Sequence, residues 1–95
     1  MLFFLDTANL ADIRWAARGG LILAAEDLQT ARELAPRLKR VVPGIRLPGD
    51  PHHDQTRTAS PQDAAANGAD LLIIGRTVTS ASDPLAAAAA VASAI

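Results

Sequence analysis

Residues 71–75, Leu71-Leu72-Ile73-Ile74-Gly75, carry no polar side chain at any position, and Arg76-Thr77 follows at once. Alternation of polar and apolar residues would mark a strand with one wet face. A continuous apolar run marks a strand covered on both faces, the habit of parallel sheets flanked by helices. Three more such runs precede it, Leu2 to Leu5, Leu21 to Ala25 and Val41 to Ile45, and each is followed by a helix-like stretch. The pattern predicts four successive βα units.

The helix signals are local and chemical. Ser60-Pro61-Gln62-Asp63 combines a capping hydroxyl, a proline whose missing N–H costs nothing at the first helical position, and an acid three residues after the cap. Asp83-Pro84 opens the last helix in the same way, and Asn67-Gly68 closes the one before it. Asn9 with Asp12 is a candidate cap for the first helix. Over Glu26 to Leu38 the positions Leu28, Ala31, Leu34, Ala35 and Leu38 form an apolar face, with Pro36 predicting an early end. In the Ala-rich last helix the expected buried face is Leu85, Ala88, Ala92 and Ile95. Gly19-Gly20 reads as a flexible hinge between the first unit and the rest.

Ninety-five residues suffice for a single domain, 1–95, with a small core. The composition is 49% hydrophobic but only 3% aromatic, so that core is built from Ala, Leu, Ile and Val. Nine basic against ten acidic residues give a net charge of −1, which argues against a general nucleic-acid or acidic-membrane partner. The absence of cysteine excludes disulfides, thiolate metal sites and thiol nucleophiles. The start Met1-Leu2-Phe3-Phe4-Leu5-Asp6 lacks a basic leader pattern, and no apolar run approaches the roughly 20 residues of a membrane span. A cytoplasmic location is expected.

Right-handed crossovers place all four helices on one side of a sheet whose strands follow in sequence order. The other face is then bare, although its residues are apolar. The expected fold is therefore α/β: a (βα)4 half of a TIM-type barrel with parallel strands, completed by self-association, most simply as a homodimer. A flavodoxin-like sheet with helices on both faces is the alternative.

Chemistry-bearing residues concentrate in the second half. Arg46 follows Pro43-Gly44-Ile45, Arg76 follows Gly75, and both arginines lie at C-terminal strand ends, where a phosphate or sulfate would meet guanidinium donors and close backbone approach. Solvated arginines beside turn glycines are the competing reading. Between them Leu47 to Ala59 forms a polar, patternless loop containing Asp54-Gln55. Within it His52-His53-Asp54 is a poor metal site, because adjacent histidines point apart and no third ligand has a defined spacing. No metal and no cofactor is expected. Trp15 lies off the Leu10, Ile13, Ala17 stripe, free for an interface or for partial packing.

Pro43 to Arg46, Asp54-Gln55, Ser60-Pro61, Ile74 to Thr79 and Asp83-Pro84 together resemble the last part of the orotidine 5'-phosphate decarboxylase family, over Gly20 to Ile95. That resemblance implies Gln55, Gly75 and Arg76 as contacts of a nucleotide phosphate, with Arg46 on the adjoining strand end. Thr77 departs from the family's usual proline, which is expected to loosen the loop without removing a donor. The first nineteen residues, Leu2 to Asn9 with Ile13-Arg14, resemble instead the opening unit of the transaldolase family, including the small fructose 6-phosphate aldolases. Asp6 would match its strand-end aspartate.

Neither resemblance carries a catalytic centre. The decarboxylase family's D-x-K-x-x-D array does not occur in these 95 residues, and the sole lysine, Lys39, sits beside Arg40 where a solvated role is expected. The two resemblances together imply a recombined or engineered half-barrel, chiefly a self-assembling structural module with a residual phosphate site and no catalytic residues. The alternative is a decarboxylase-like lyase fragment with weak or no activity.

Overall fold

The computed structural model describes residues 4–6, 19–50 and 57–95. Four strands, β1 (Phe4–Asp6), β2 (Gly20–Ile22), β3 (Lys39–Val42) and β4 (Leu71–Leu72), form one sheet in the order β1-β2-β3-β4. Every neighbouring pair is parallel. Helices α1 (Leu28–Leu34), α2 (Pro61–Ala66), α3 (Arg76–Thr79) and α4 (Pro84–Ser93) complete the described regular structure, with a 3-10 turn over Ala25–Asp27 leading into α1.

This is the parallel α/β arrangement that the apolar runs predict, with strands shorter than the runs. β3 stops at Val42 because Pro43 has no N–H to continue the ladder. Gly44 then takes a φ of +71°, a conformation that a side chain would resist, and the turned chain pairs again, Ile45 with Ala59. The Ala59 N–H donates to the Gly44 carbonyl (3.1 Å) and the Arg46 N–H to the Ala59 carbonyl (2.9 Å). The segment Leu47 to Ala59, patternless in sequence, is thus bound to the end of β3 by its last residue.

The expected caps form. Ser60 Oγ accepts from the Asp63 N–H at 3.0 Å, and Asp83 Oδ1 from the Ala86 N–H at 3.1 Å. Asn67 follows α2, and Gly68 turns the chain with φ +99°. α1 ends at Leu34, before Pro36, as that proline predicts. The candidate cap at Asn9 and the side chain of Trp15 lie outside the described residues.

Two expectations need correction, the glycine hinge and the buried face of the last helix. Gly20 is a buried β2 residue paired with Phe4 and Lys39, and the Gly19 carbonyl accepts from the Lys39 N–H at 3.2 Å, so the glycine pair sits in the ladder and is not a free hinge. Lys39 opens β3, and its side chain is exposed as expected. α4 buries Val91, flanked by half-buried Ala87 and Ala94, whereas Leu85 is 85% exposed. Its apolar residues surround the helix, so periodicity among alanines could not choose the face.

Among the described residues two clusters form the core. Leu21 and Leu23 of the β2 segment meet Ala31 and Leu38, and Leu28, Val42, Ile45 and Ala64 pack with Ala25, Ala59, Ala69, Leu72 and Ile74. The second cluster lies directly beneath the C-terminal ends of β3 and β4. Register assigns Ile22, Val41 and Leu71 to the sheet's opposite face, and Ile73 shares their alternation. There Leu71 is 53% and Ile73 46% exposed, whereas Val41 is 6% exposed and Ile22 half-buried, so the exposure is confined to the β4 side.

Candidate functional site

The C-terminal ends of β3 and β4 converge on one atom. The Ile45 carbonyl accepts from Arg46 Nη1 at 2.9 Å and from Thr77 Oγ1 at 3.1 Å. Ile45 belongs to the core beneath, so the acceptor is anchored by packing. Arg46 is only 8% exposed, with its guanidinium turned back on the preceding carbonyl. A buried cation held this way adds a positive charge to the wall of the site without leaving its own donors unsatisfied.

Gly75 and Arg76 lie on the outside of the same turn. Both are exposed, and a Cβ added at Gly75 would meet nothing within 4 Å, so the space beside its backbone is open. The turn itself is stiff. The Gly75 carbonyl accepts from the Val78 and Thr79 N–H groups, both at 3.0 Å, and from Thr79 Oγ1 at 3.2 Å. α3 has a single turn, too short for a helix dipole to contribute.

The loop that carries Gln55 is held on both described sides. Asp50 Oδ2 accepts from the Leu47 N–H at 3.1 Å, while the Asp50 N–H donates to the Leu47 carbonyl at 3.0 Å, closing a tight turn. Arg57 pairs with Asp27 at 2.7 Å and with Glu26, clamping the returning chain to the 3-10 turn before α1. The hydrogen bond to Asp27, opposed by desolvation and aided by the charges of Glu26 and Asp27, raises the Arg57 pKa above its ordinary value. Gln55 and the His52-His53-Asp54 triplet lie outside the described residues. Among the described residues no group of His, Asp or Glu is arranged to hold a metal ion.

Of the four residues singled out from sequence, Arg46, Gly75 and Arg76 therefore occupy one end of the sheet, and Arg46 and the residue after Arg76 share an acceptor. Sequence reasoning missed Thr77. It stands where the resembling family usually has proline, and it is buried and bonded, so the expected loosening of the loop gives way to an added tether. Its signal was a hydroxyl residue in a turn otherwise exposed.

A larger cleft of about 580 Å³ lies beyond the opposite, N-terminal ends of β3 and β4, lined by Gln29, Arg32, Glu33, Pro36, Arg40 and Asn67. Its inner arginine is committed: Arg40 Nε donates to the Gly68 carbonyl at 2.8 Å and its Nη2 pairs with Asp70 at 3.3 Å. That cleft is a seam between strand starts and helix ends; of its charged residues, Arg40 holds β3 to the turn before β4 and Glu33 accepts from Gln29 Nε2 at 3.3 Å.

Comparison with known proteins agrees with the geometry. The family model described as "Orotidine 5'-phosphate decarboxylase / HUMPS family" matches residues 7–91. The chain belongs to this family. Among relatives, the orotidine 5'-phosphate decarboxylase of Bradyrhizobium sp. (strain ORS 278) is 49% identical over 73 residues, which cover 76% of this chain and 30% of the relative. That of Thermobifida fusca (strain YX) is 44% identical over 78 residues, 81% of this chain and 34% of the relative. The crystal structure of orotidine 5'-monophosphate decarboxylase from Sulfolobus solfataricus superposes with a TM-score of 0.67 at 26% identity, covering 93% of this chain and 45% of that one. The chain thus spans about a third of the length of the curated relatives it matches. The decarboxylase-family match begins at residue 7, inside the stretch that resembles a transaldolase, and the comparisons give that second resemblance no support.

Proposed function

We propose that these 95 residues form the phosphate-holding end of a decarboxylase-family barrel and bind the phosphate of a nucleoside monophosphate at the C-terminal ends of β3 and β4. The observation that carries this is the convergence of Arg46 and Thr77 on the Ile45 carbonyl, which joins the two strand ends into one wall. Arg76 would supply a charge-assisted fork, the open backbone of Gly75 an N–H at close approach, Gln55 a neutral amide donor, and Arg46 a fixed positive charge behind them.

A family origin for the whole of residues 7–91 has more support than a recombination at residue 20, because one family model runs through the supposed junction. Decarboxylation by these residues alone is not proposed. The family resemblance places charge stabilisation and proton donation on a Lys/Asp array, and the sequence holds one lysine, exposed at the far end of β3.

Phosphate titration tests the reading. Affinity should be weak, on the order of millimolar, because only the phosphate end of a site is present. Phosphate should raise the melting temperature more than chloride at matched ionic strength. Arg76→Ala should abolish that difference, and Arg37→Ala, in the turn after α1, should leave it. Equal effects of the two substitutions would reduce the stabilisation to charge screening and end the proposal.

A second reading, self-assembly through the exposed β4 side of the sheet, is favoured by one separate observation. Leu71 and Ile73 stand about half exposed on the face away from the core clusters, beside the unpaired edge of β4.

A further inference from the structure

The turn from Gly75 to Thr79 is a rigid unit, because one carbonyl, that of Gly75, accepts three hydrogen bonds from within it. What such a unit lacks is placement. Its chain neighbours supply only part of it: the Ile73 N–H donates to the Val42 carbonyl at 2.9 Å and Ile74 packs into the core, which anchors the chain up to Gly75 and leaves the far side of the turn to be set. Thr77 sits on the inward side of the unit, 6% exposed between exposed Arg76 and half-buried Val78, and its hydroxyl reaches across to the Ile45 carbonyl. A buried hydroxyl is costly unless bonded, and once bonded it favours one placement over its neighbours. Proline at this position, the usual residue of the resembling family, would fix φ but bring no donor.

We propose that Thr77 is a positioning residue: by sharing the Ile45 carbonyl with the Arg46 guanidinium, its hydroxyl sets the Gly75–Arg76 turn against the end of β3, and so sets the affinity of that turn for a phosphate monoanion or dianion. This rests on the phosphate reading above and deepens it. Thr77 does not touch the anion. It acts through where Gly75 and Arg76 are held, as a displacement of under an ångström is enough to spoil a charge-assisted hydrogen bond.

The experiment compares the 95-residue chain with Thr77→Val, Thr77→Ser and Arg76→Ala, titrating inorganic phosphate by isothermal calorimetry and by thermal shift, with urea midpoints measured in chloride alone. Thr77→Val keeps the shape and β-branching and removes the donor; its dissociation constant should rise about three- to tenfold, the range expected for one neutral hydrogen bond. Thr77→Ser restores the donor and should return the constant to within about twofold of the parent chain. A merely structural threonine predicts another pattern: a lower urea midpoint in both variants with an unchanged phosphate constant, and that result overturns the proposal. If the parent chain binds phosphate and Arg76→Ala abolishes binding while Thr77→Val binds as tightly as the parent, the positioning role fails and the phosphate site stands. If the parent shows no phosphate binding beyond chloride, the phosphate site fails and the positioning role falls with it.

Discussion

Gly68 shows how much one residue can decide. Its φ of +99° is reached freely by glycine alone, and a Cβ there would come within 2.8 Å of the Arg32 Cδ. Arg32 is exposed at the end of a flexible side chain and can move aside, so backbone strain is the larger cost. Gly68→Ala should destabilise the chain by about 1–2 kcal/mol, and adding Arg32→Ala should recover little of it, measured as urea midpoints. Ser60→Ala removes the cap hydroxyl from α2 and should cost about 1 kcal/mol, with Ser60→Asp close to neutral. Both residues were legible in the sequence, since Ser-Pro-x-Asp and Asn-Gly each specify a local backbone problem that those side chains solve within four residues. Thr77 was not legible in the same sense. Its partner is Ile45, 32 positions away, and no local pattern records a bond across that separation. The same holds for Arg57, whose partners Asp27 and Glu26 lie about thirty positions back in the chain. Its raised pKa keeps it charged throughout the working pH range: the stabilisation is complete below the unfolded value and lost only as pH rises through the higher folded one, so this clamp should show no acid sensitivity through Arg57 itself.

Among elements, α4 is the case in which composition and placement part. A helix of Pro84-Leu85 followed by alanines and Val91 offers apolar atoms on every side, and its largest residue, Leu85, is the most natural anchor on paper. Val91 is the buried residue instead, 8% exposed, and with Ala65, Ala69, Leu71, Leu72 and Ile74 it lines a cavity of about 340 Å³. Val91→Ala should therefore cost about 1–2 kcal/mol, while Leu85→Ala should change stability by less than about 0.5 kcal/mol. A larger loss at Leu85 than at Val91 would restore the face expected from periodicity. Strands were the more legible elements. Four continuous apolar runs gave four parallel strands in sequence order, because burial on both faces is a property of each strand and is written within it. Their ends were set by contacts outside the runs, as at Pro43, where the ladder stops three residues before the apolar run does.

At the scale of the whole molecule the argument turns on one sheet face and two edges. Parallel register makes Ile22, Val41 and Leu71 neighbours across the sheet, and Ile73 continues that row past β4. Helices α1 and α2 bury the other face, through Leu28, Ala31 and Ala64. Leaving Leu71 and Ile73 half in water forfeits about 1 kcal/mol each relative to burial, and it leaves an apolar patch next to the open β4 edge, a combination that favours association. β1 is the other edge, and all strands run the same way, so a two-fold axis can set β4 of one copy beside β1 of a second without reversing any strand. Eight strands result, and the chain matches 45% of the Sulfolobus structure, so two copies approach its length. The 95-residue chain should accordingly run at twice its mass by light scattering at micromolar concentration, with a melting temperature that rises with concentration. Leu71→Glu with Ile73→Glu would place charge on the proposed seam and should shift the mass to that of one chain. Leu85→Glu, equally apolar in origin but on the outside of α4, should leave it doubled. A monodisperse single chain that unfolds cooperatively at concentration-independent temperature would show that the open face is content in water, and the double substitution would then be nearly neutral.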